Sequence, residues 1–243
     1  RGTYGPDDGD RVLVVYTGGT IGMASRADGA LAPLEVSELV AYAQTPGDLP
    51  LALTVASFET PIDSSAIRPG DWLAIADAVE AFAADHAGIV ILHGTDSMAY
   101  TASALSFLLE GIDRPVVLTG SQRPLTSIRS DARQNLATAT AIAAGRQDRG
   151  PAVSEVSLLF NAVLLRGNRA TKAHADSYSA FTSPNLPPLA TSGVTLEVDA
   201  ALVRPAEPGP PRRAGGVCPD VAAVRLHPAL DRAGLSATLS RPG

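Results

Sequence analysis

Short unbroken apolar runs alternate along the chain with longer stretches in which apolar residues recur at helical spacing. The runs fall at 12–16, 51–58, 88–92, 115–119 and 156–160, where Val, Ile and Leu stand side by side. Runs this short, with little polar alternation, predict strands buried on both faces. Between them, Trp72, Ile75, Ala76, Val79, Phe82 and Ala83 form an i, i+3, i+4, i+7 stripe after Pro69-Gly70-Asp71. That stripe predicts a helix with Asp71 as its cap. Further helices are predicted over 98–109 and 131–144, and a weaker one over 36–43. Repeated strand-then-helix order implies the α/β class: an open, mostly parallel sheet flanked by helices, with right-handed crossovers.

The pattern changes after about residue 180. Positions 204–216 are dense in Pro, Gly and Arg and read as a linker. One strand-like run follows at 221–226, and His227-Pro228 then leads into a short stretch to the end. One strand and part of a helix cannot close a core. The expected organisation is therefore a domain over 1–203 that carries the chemistry, a linker over 204–216, and over 217–243 the start of a second, smaller α/β domain. No internal repeat is present.

Composition narrows the function classes. Of 243 residues 45% are hydrophobic, ample for a packed core, and the net charge is −6 with no Lys/Arg cluster. A nucleic-acid partner is not expected. No apolar run reaches the ~18 residues that a membrane span needs. The opening residues, Arg1 to Asp8, are polar and lack the apolar core of a signal peptide. They also lack a methionine, so Arg1 is not read as a translational start. Cys218 is the single cysteine, which excludes an internal disulfide and fits a reducing, cytoplasmic compartment. His86, His93, His174 and His227 are scattered and form no ligand spacing with Cys218, so no metal site is expected.

Candidate chemistry sits where the strands end. The first strand runs into Thr17-Gly18-Gly19-Thr20, and the third into His93-Gly94-Thr95-Asp96-Ser97. In open parallel sheets, ligands bind beyond the carboxyl ends of the strands. Read alone, Thr17 is a turn residue, and Thr95 or Asp96 a cap for the helix that follows. A helix N-terminus also stabilises a carboxylate, which can hold an ammonium group. Ser64 and Ser65 follow the second strand and would lie on the same edge. Lys172 is the only lysine in a chain that otherwise uses arginine, which suggests a need for an amine able to lose its proton. The segment at Thr17 is neither a dinucleotide fingerprint nor a phosphate loop, and no G-x-S-x-G elbow occurs.

Longer motifs carry a resemblance. Tyr16-Thr17-Gly18-Gly19-Thr20-Ile21-Gly22-Met23, the stretch from His93 to Thr101, and Thr119-Gly120-Ser121-Gln122-Arg123-Pro124 resemble the bacterial L-asparaginase family. The runs from Arg166 to Asp176 and from Ser183 to Leu189 resemble its cytoplasmic, type I branch, and the likeness extends from about Val12 to Leu239. The resemblance implies hydrolysis of L-asparagine to L-aspartate and ammonia with no metal and no organic cofactor. It implies that Thr17 is the nucleophile and that Thr95, Asp96 and Lys172 activate a hydroxyl and a water. Ser64, Ser65 and Asp96 would hold the α-amino and α-carboxylate groups, and Gly18 and Gly94 would let backbone N–H groups approach the oxyanion. It also implies a homodimer or homotetramer of a longer chain whose second domain completes a neighbour's site. This chain departs from the pattern in having no tyrosine over 25–33 and in placing Ala66 after the serine pair. Two other readings compete: a catalytically silent amino-acid-binding protein of the same fold, and an amidase component of an amidotransferase.

Overall fold

The computed structural model describes residues 2–4, 11–25, 31–34, 38, 51–221 and 223–240. Its centre is a nine-stranded sheet, here β1 (Gly2–Tyr4), β2 (Arg11–Tyr16), β3 (Ala52–Ser57), β4 (Gly88–Leu92), β5 (Val116–Thr119), β6 (Val156–Phe160), β7 (Val163–Arg166), β8 (Ala190–Ser192) and β9 (Leu196–Val198). The strand order is β1-β3-β2-β4-β5-β6-β7-β8-β9. The inner ladder β3-β2-β4-β5-β6 is parallel. Strand β1 and strands β7 to β9 add antiparallel edges. Among the described residues the α-helices outside the sheet are α1 (Pro69–Ala83), α2 (Met98–Leu108), α3 (Ala132–Ala143) and α4 (Arg232–Leu239).

The apolar runs form the inner strands because both of their faces are covered. Alternate side chains of a strand point to opposite faces. Val12, Val14, Val90, Leu92 and Val117 enter one core with α3. Leu13, Val15, Ile89, Ile91 and Leu118 enter the other with α1 and α2. The predicted stripe of α1 packs into that second core, with Ile75, Ala76, Val79 and Ala83 fully buried.

Several expectations need correction. Helix α1 begins at Pro69, and Asp71 is not its cap but its third residue, accepting the Arg68 N–H at 2.7 Å. Proline at the first helical position has a preset φ and no N–H to satisfy, so the helix starts before Asp71. Neither Thr95 nor Asp96 caps α2: Ser97 occupies that position, and its hydroxyl donates instead to Ser64 O at 2.5 Å. The described residues of 221–226 form no strand, since no sheet edge pairs with them. Within 204–216, Arg212–Arg213 pairs antiparallel with Leu109–Glu110, and the Ala214 N–H donates to Leu108 O. The weaker helix expected over 36–43 lies outside the described residues, apart from Glu38.

One topological feature places the site. The chain passes from β2 to β3 on one side of it, then crosses to β4 on the other. The carboxyl ends of β2 and β4 thus diverge into loops of opposite direction, the arrangement that opens a ligand crevice.

Candidate active site

Thr17 stands immediately after β2 and is 1% exposed. Its N–H and its hydroxyl both donate to Leu92 O, the last carbonyl of β4, at 3.1 and 2.9 Å. The hydroxyl therefore lies at the β2–β4 junction, with its oxygen lone pairs free of that bond. The turn beyond it requires glycine. Gly18 and Gly19 have φ of 133° and 93°. A Cβ on Gly18 would lie 2.5 Å from Ile62 O, and one on Gly19 would lie 2.5 Å from Gly94 N.

Those contacts draw three loops together. The Ile62 N–H donates to Thr17 O at 2.7 Å, fastening the loop after β3 to the loop after β2. Gly94, after β4, is pressed between Gly19 and the Ser64 hydroxyl. Ser64 is buried at this junction, whereas Ser65 is exposed. Ser65 turns away: its N–H and hydroxyl both donate to Asp63 Oδ1, at 2.9 and 2.8 Å. These bonds, the backbone one foremost, hold the Asp63 carboxyl below its ordinary pKa.

Lys172 reaches the same edge from a distant part of the chain. Gly167 after β7 abuts α2, where any Cβ would meet Ser106 Oγ at 2.8 Å and Ala102 O at 2.9 Å. The chain then forms the two-residue strand Thr171–Lys172, paired with Phe181–Thr182, and the Phe181 ring packs on Phe160 at 4.9 Å between centroids. The Lys172 Nζ donates to Thr95 Oγ1 at 2.9 Å and to Asp96 Oδ1 at 2.8 Å. The lysine side chain is 18% exposed and that of Asp96 62%. Lys172, Thr95 and Asp96 are therefore one contiguous cluster, and the adjoining Gly94 meets Ser64 and Gly19, two residues beyond Thr17. Ser65 is the expected site residue that the structure leaves outside.

Other polar residues hold this edge in shape, and periodicity alone did not single them out. The Asp131 carboxylate accepts the Gln122 N–H at 3.0 Å and the Arg123 N–H at 3.1 Å, shaping the loop after β5. The Gln122 amide donates to Ala175 O and Ser177 O at 3.0 and 2.9 Å, tying down the segment beyond Lys172. Asn135 donates to Gly120 O and accepts the Asn161 N–H. The available signal was that Asp131, Asn135 and Thr138 put polar groups on the inward stripe of a helix. Beneath Gly94, His93 is buried, and burial pushes its imidazolium below the ordinary histidine pKa, a Gly94 hydrogen bond opposing in part. Among the described residues no group of three or more His, Cys, Asp or Glu side chains could hold a metal ion.

A doubly flanked, mostly parallel sheet with hydroxyls, a carboxylate and an amine at its switch point defines an α/β protein with a polar crevice at the carboxyl edge of its sheet. The family model described as Asparaginase, N-terminal, matches residues 11–204, and the chain belongs to the asparaginase family. It is similar to L-asparaginase 1 of Escherichia coli (strain K12), 46% identical over 189 residues that cover 76% of this chain and 54% of that protein. It is also 40% identical to the 60 kDa lysophospholipase of Mus musculus, over 90% of this chain and 42% of that one. The solved L-asparaginase I of Vibrio cholerae O1 biovar eltor str. N16961 superposes with a TM-score of 0.84 at 39% identity, over 96% of this chain and 70% of that one. The chain spans about half the length of the curated relatives it matches.

Proposed function

We propose that the protein hydrolyses the side-chain amide of L-asparagine, releasing L-aspartate and ammonia. The observation that carries this reading is the Lys172 amine bonded at once to Thr95 Oγ1 and Asp96 Oδ1 at the switch-point crevice where Thr17 follows β2. Membership of the asparaginase family supports it.

In this reading Thr17 is the nucleophile. Its hydroxyl leaves Leu92 O, its oxygen attacks the amide carbon, and its proton goes to the departing nitrogen, leaving ammonia and an aspartyl ester. A hydroxyl is a poor nucleophile without such a proton path. Thr95 and Lys172 supply one: with Lys172 in its amine form, Thr95 Oγ1 takes the Thr17 proton while passing its own to Lys172 Nζ, and the ammonium so formed gives a proton back through Thr95 to the departing nitrogen; in the second step water takes the place of Thr17 in this relay. Water then cleaves the ester and returns the proton to Thr17 Oγ1. Asp96, with an exposed carboxylate, receives the substrate's α-ammonium, and Ser64 the α-carboxylate. Ser65 joins only if its hydroxyl leaves Asp63. Backbone N–H groups around Gly18 and Gly94 face the developing oxyanion, the term of largest weight in acyl transfer. The free Cys218 supports a cytoplasmic setting. Assembly of the full-length form into homodimers or homotetramers belongs to the same proposal, and light scattering reads it.

The test is ammonia release from L-asparagine by the purified chain, with Thr17→Val as the control. Release by the unmodified chain and none by the variant is expected. Equal release by both, or none by either, refutes the assignment.

A further inference from the structure

A chain of hydrogen bonds runs under the crevice and takes no part in the chemistry described above. The Trp72 indole N–H donates to Thr101 Oγ1 at 3.1 Å. Thr101 Oγ1 and His93 Nε2 are 3.0 Å apart, and His93 Nδ1 and Gly94 O are 2.7 Å apart. The donors can be assigned. A carbonyl only accepts, so His93 carries its proton on Nδ1. In the neutral ring Nε2 is then the acceptor, and the Thr101 hydroxyl must donate to it. The Trp72 indole, a donor only, fills the remaining role at Thr101. Thr101 and His93 are buried, and burial favours the neutral ring that this pattern requires.

We infer that His93 is a positioning residue for the proposed reaction, held as the Nδ1–H tautomer by Thr101 and Trp72 so that it fixes the Gly94–Thr95 peptide plane. The inference rests on the hydrolase reading above. A trans peptide holds its C=O and N–H antiparallel. With Gly94 O drawn toward the interior imidazole, the Thr95 N–H is turned away from it, toward the crevice. Among the described residues that N–H donates to no protein acceptor. It belongs to the residue whose hydroxyl Lys172 holds, so one peptide plane sets both an oxyanion donor and the proton path. Gly94 is further clamped by Gly19 and Ser64, which leaves rotation of this plane as the freedom His93 removes.

Two readouts test this. The first needs no activity: long-range ¹⁵N–¹H spectra of the histidines at neutral pH, assigned for His93 with His93→Gln. The Nδ1–H tautomer is expected, giving way to a mixture in Thr101→Val. An Nε2–H or doubly protonated His93 overturns the inference. The second is kinetic. Misplacing a reacting group by about 1 Å can cost ~10²-fold, so Thr101→Val is expected to lower kcat about 10- to 100-fold with KM little changed. Thr101→Ser, which keeps the hydroxyl, is expected to restore kcat, which a mere packing defect would not allow. Trp72 is the sole tryptophan, so its emission reports whether each variant keeps this region intact. If the unmodified chain releases ammonia and Thr101→Val keeps its kcat within twofold, the positioning role fails alone. If the unmodified chain releases none, the hydrolase reading fails and carries this role with it.

Discussion

Replacing Lys172 separates its part in stability from its part in chemistry. In the structure the amine makes one hydrogen bond, to Thr95 Oγ1 at 2.9 Å, and one ion pair, to Asp96 Oδ1 at 2.8 Å. The Asp96 side chain is 62% exposed, so solvent screens the pair, and its contribution to folding is about 0–1 kcal/mol. Loss of a positioned proton-transfer group instead lowers the rate by ~10²–10⁴-fold, which is about 2.7–5.4 kcal/mol of activation free energy. Lys172→Met and Lys172→Arg are therefore both expected to melt within a few degrees of the unmodified protein while kcat collapses. Arginine keeps the charge but cannot give up a proton at ordinary pH, so it is expected to be nearly as damaging as methionine. Differential scanning calorimetry and ammonia release measure the two effects. A Lys172→Arg protein retaining more than a tenth of kcat would show that only the charge matters, and the proton path through Thr95 would be wrong.

Gly19→Ala is expected to destabilise the fold and distort the crevice, because φ of 93° disfavours any side chain and the new methyl would lie 2.5 Å from Gly94 N; an unchanged denaturation midpoint would contradict this. Glu155 and Arg166 pair at 2.5 Å with side chains 6% and 13% exposed, and they also bind Arg204 N–H and Leu202 O. Glu155→Ala strands that guanidinium and is expected to cost about 3–5 kcal/mol, read from urea unfolding. The depressed His93 pKa makes the unfolded state bind the extra proton first as pH falls. Its contribution is complete above the ordinary histidine pKa and is lost as pH drops toward the lower folded value. His93→Gln is expected to flatten the stability profile across that window; an unaltered slope would count against a neutral buried ring.

The inner sheet was legible because its strands are buried on both faces. Gly88–Leu92 and Val156–Phe160 have the bounds that their apolar runs predict. The antiparallel edge was not legible. Strands β7 to β9 are short and only partly apolar, and the turn from β6 to β7 is made by Asn161 at φ 56° without a following glycine. At the site, the types and spacing of Thr17, Thr95, Asp96 and Lys172 were readable, as was the lone lysine. Which of two adjacent serines faces inward was not: Ser65 is turned out by Asp63, a local hydrogen bond that no periodicity encodes. Nor was the run from Trp72 through Thr101 to His93, whose members lie on α1, on α2 and just after β4 and meet only once the helices pack on the sheet.

In the proposed reaction Thr17 carries the acyl group. Mixing the purified chain with excess L-asparagine, quenching in acid within a turnover and mapping peptides by mass spectrometry tests it most directly. An ester adduct with the mass of an aspartyl residue is expected on Thr17, absent in Thr17→Val and accumulating in Lys172→Met if deacylation slows more than acylation. Ammonia release with the adduct on Thr95, or undiminished turnover by Thr17→Val, would contradict it.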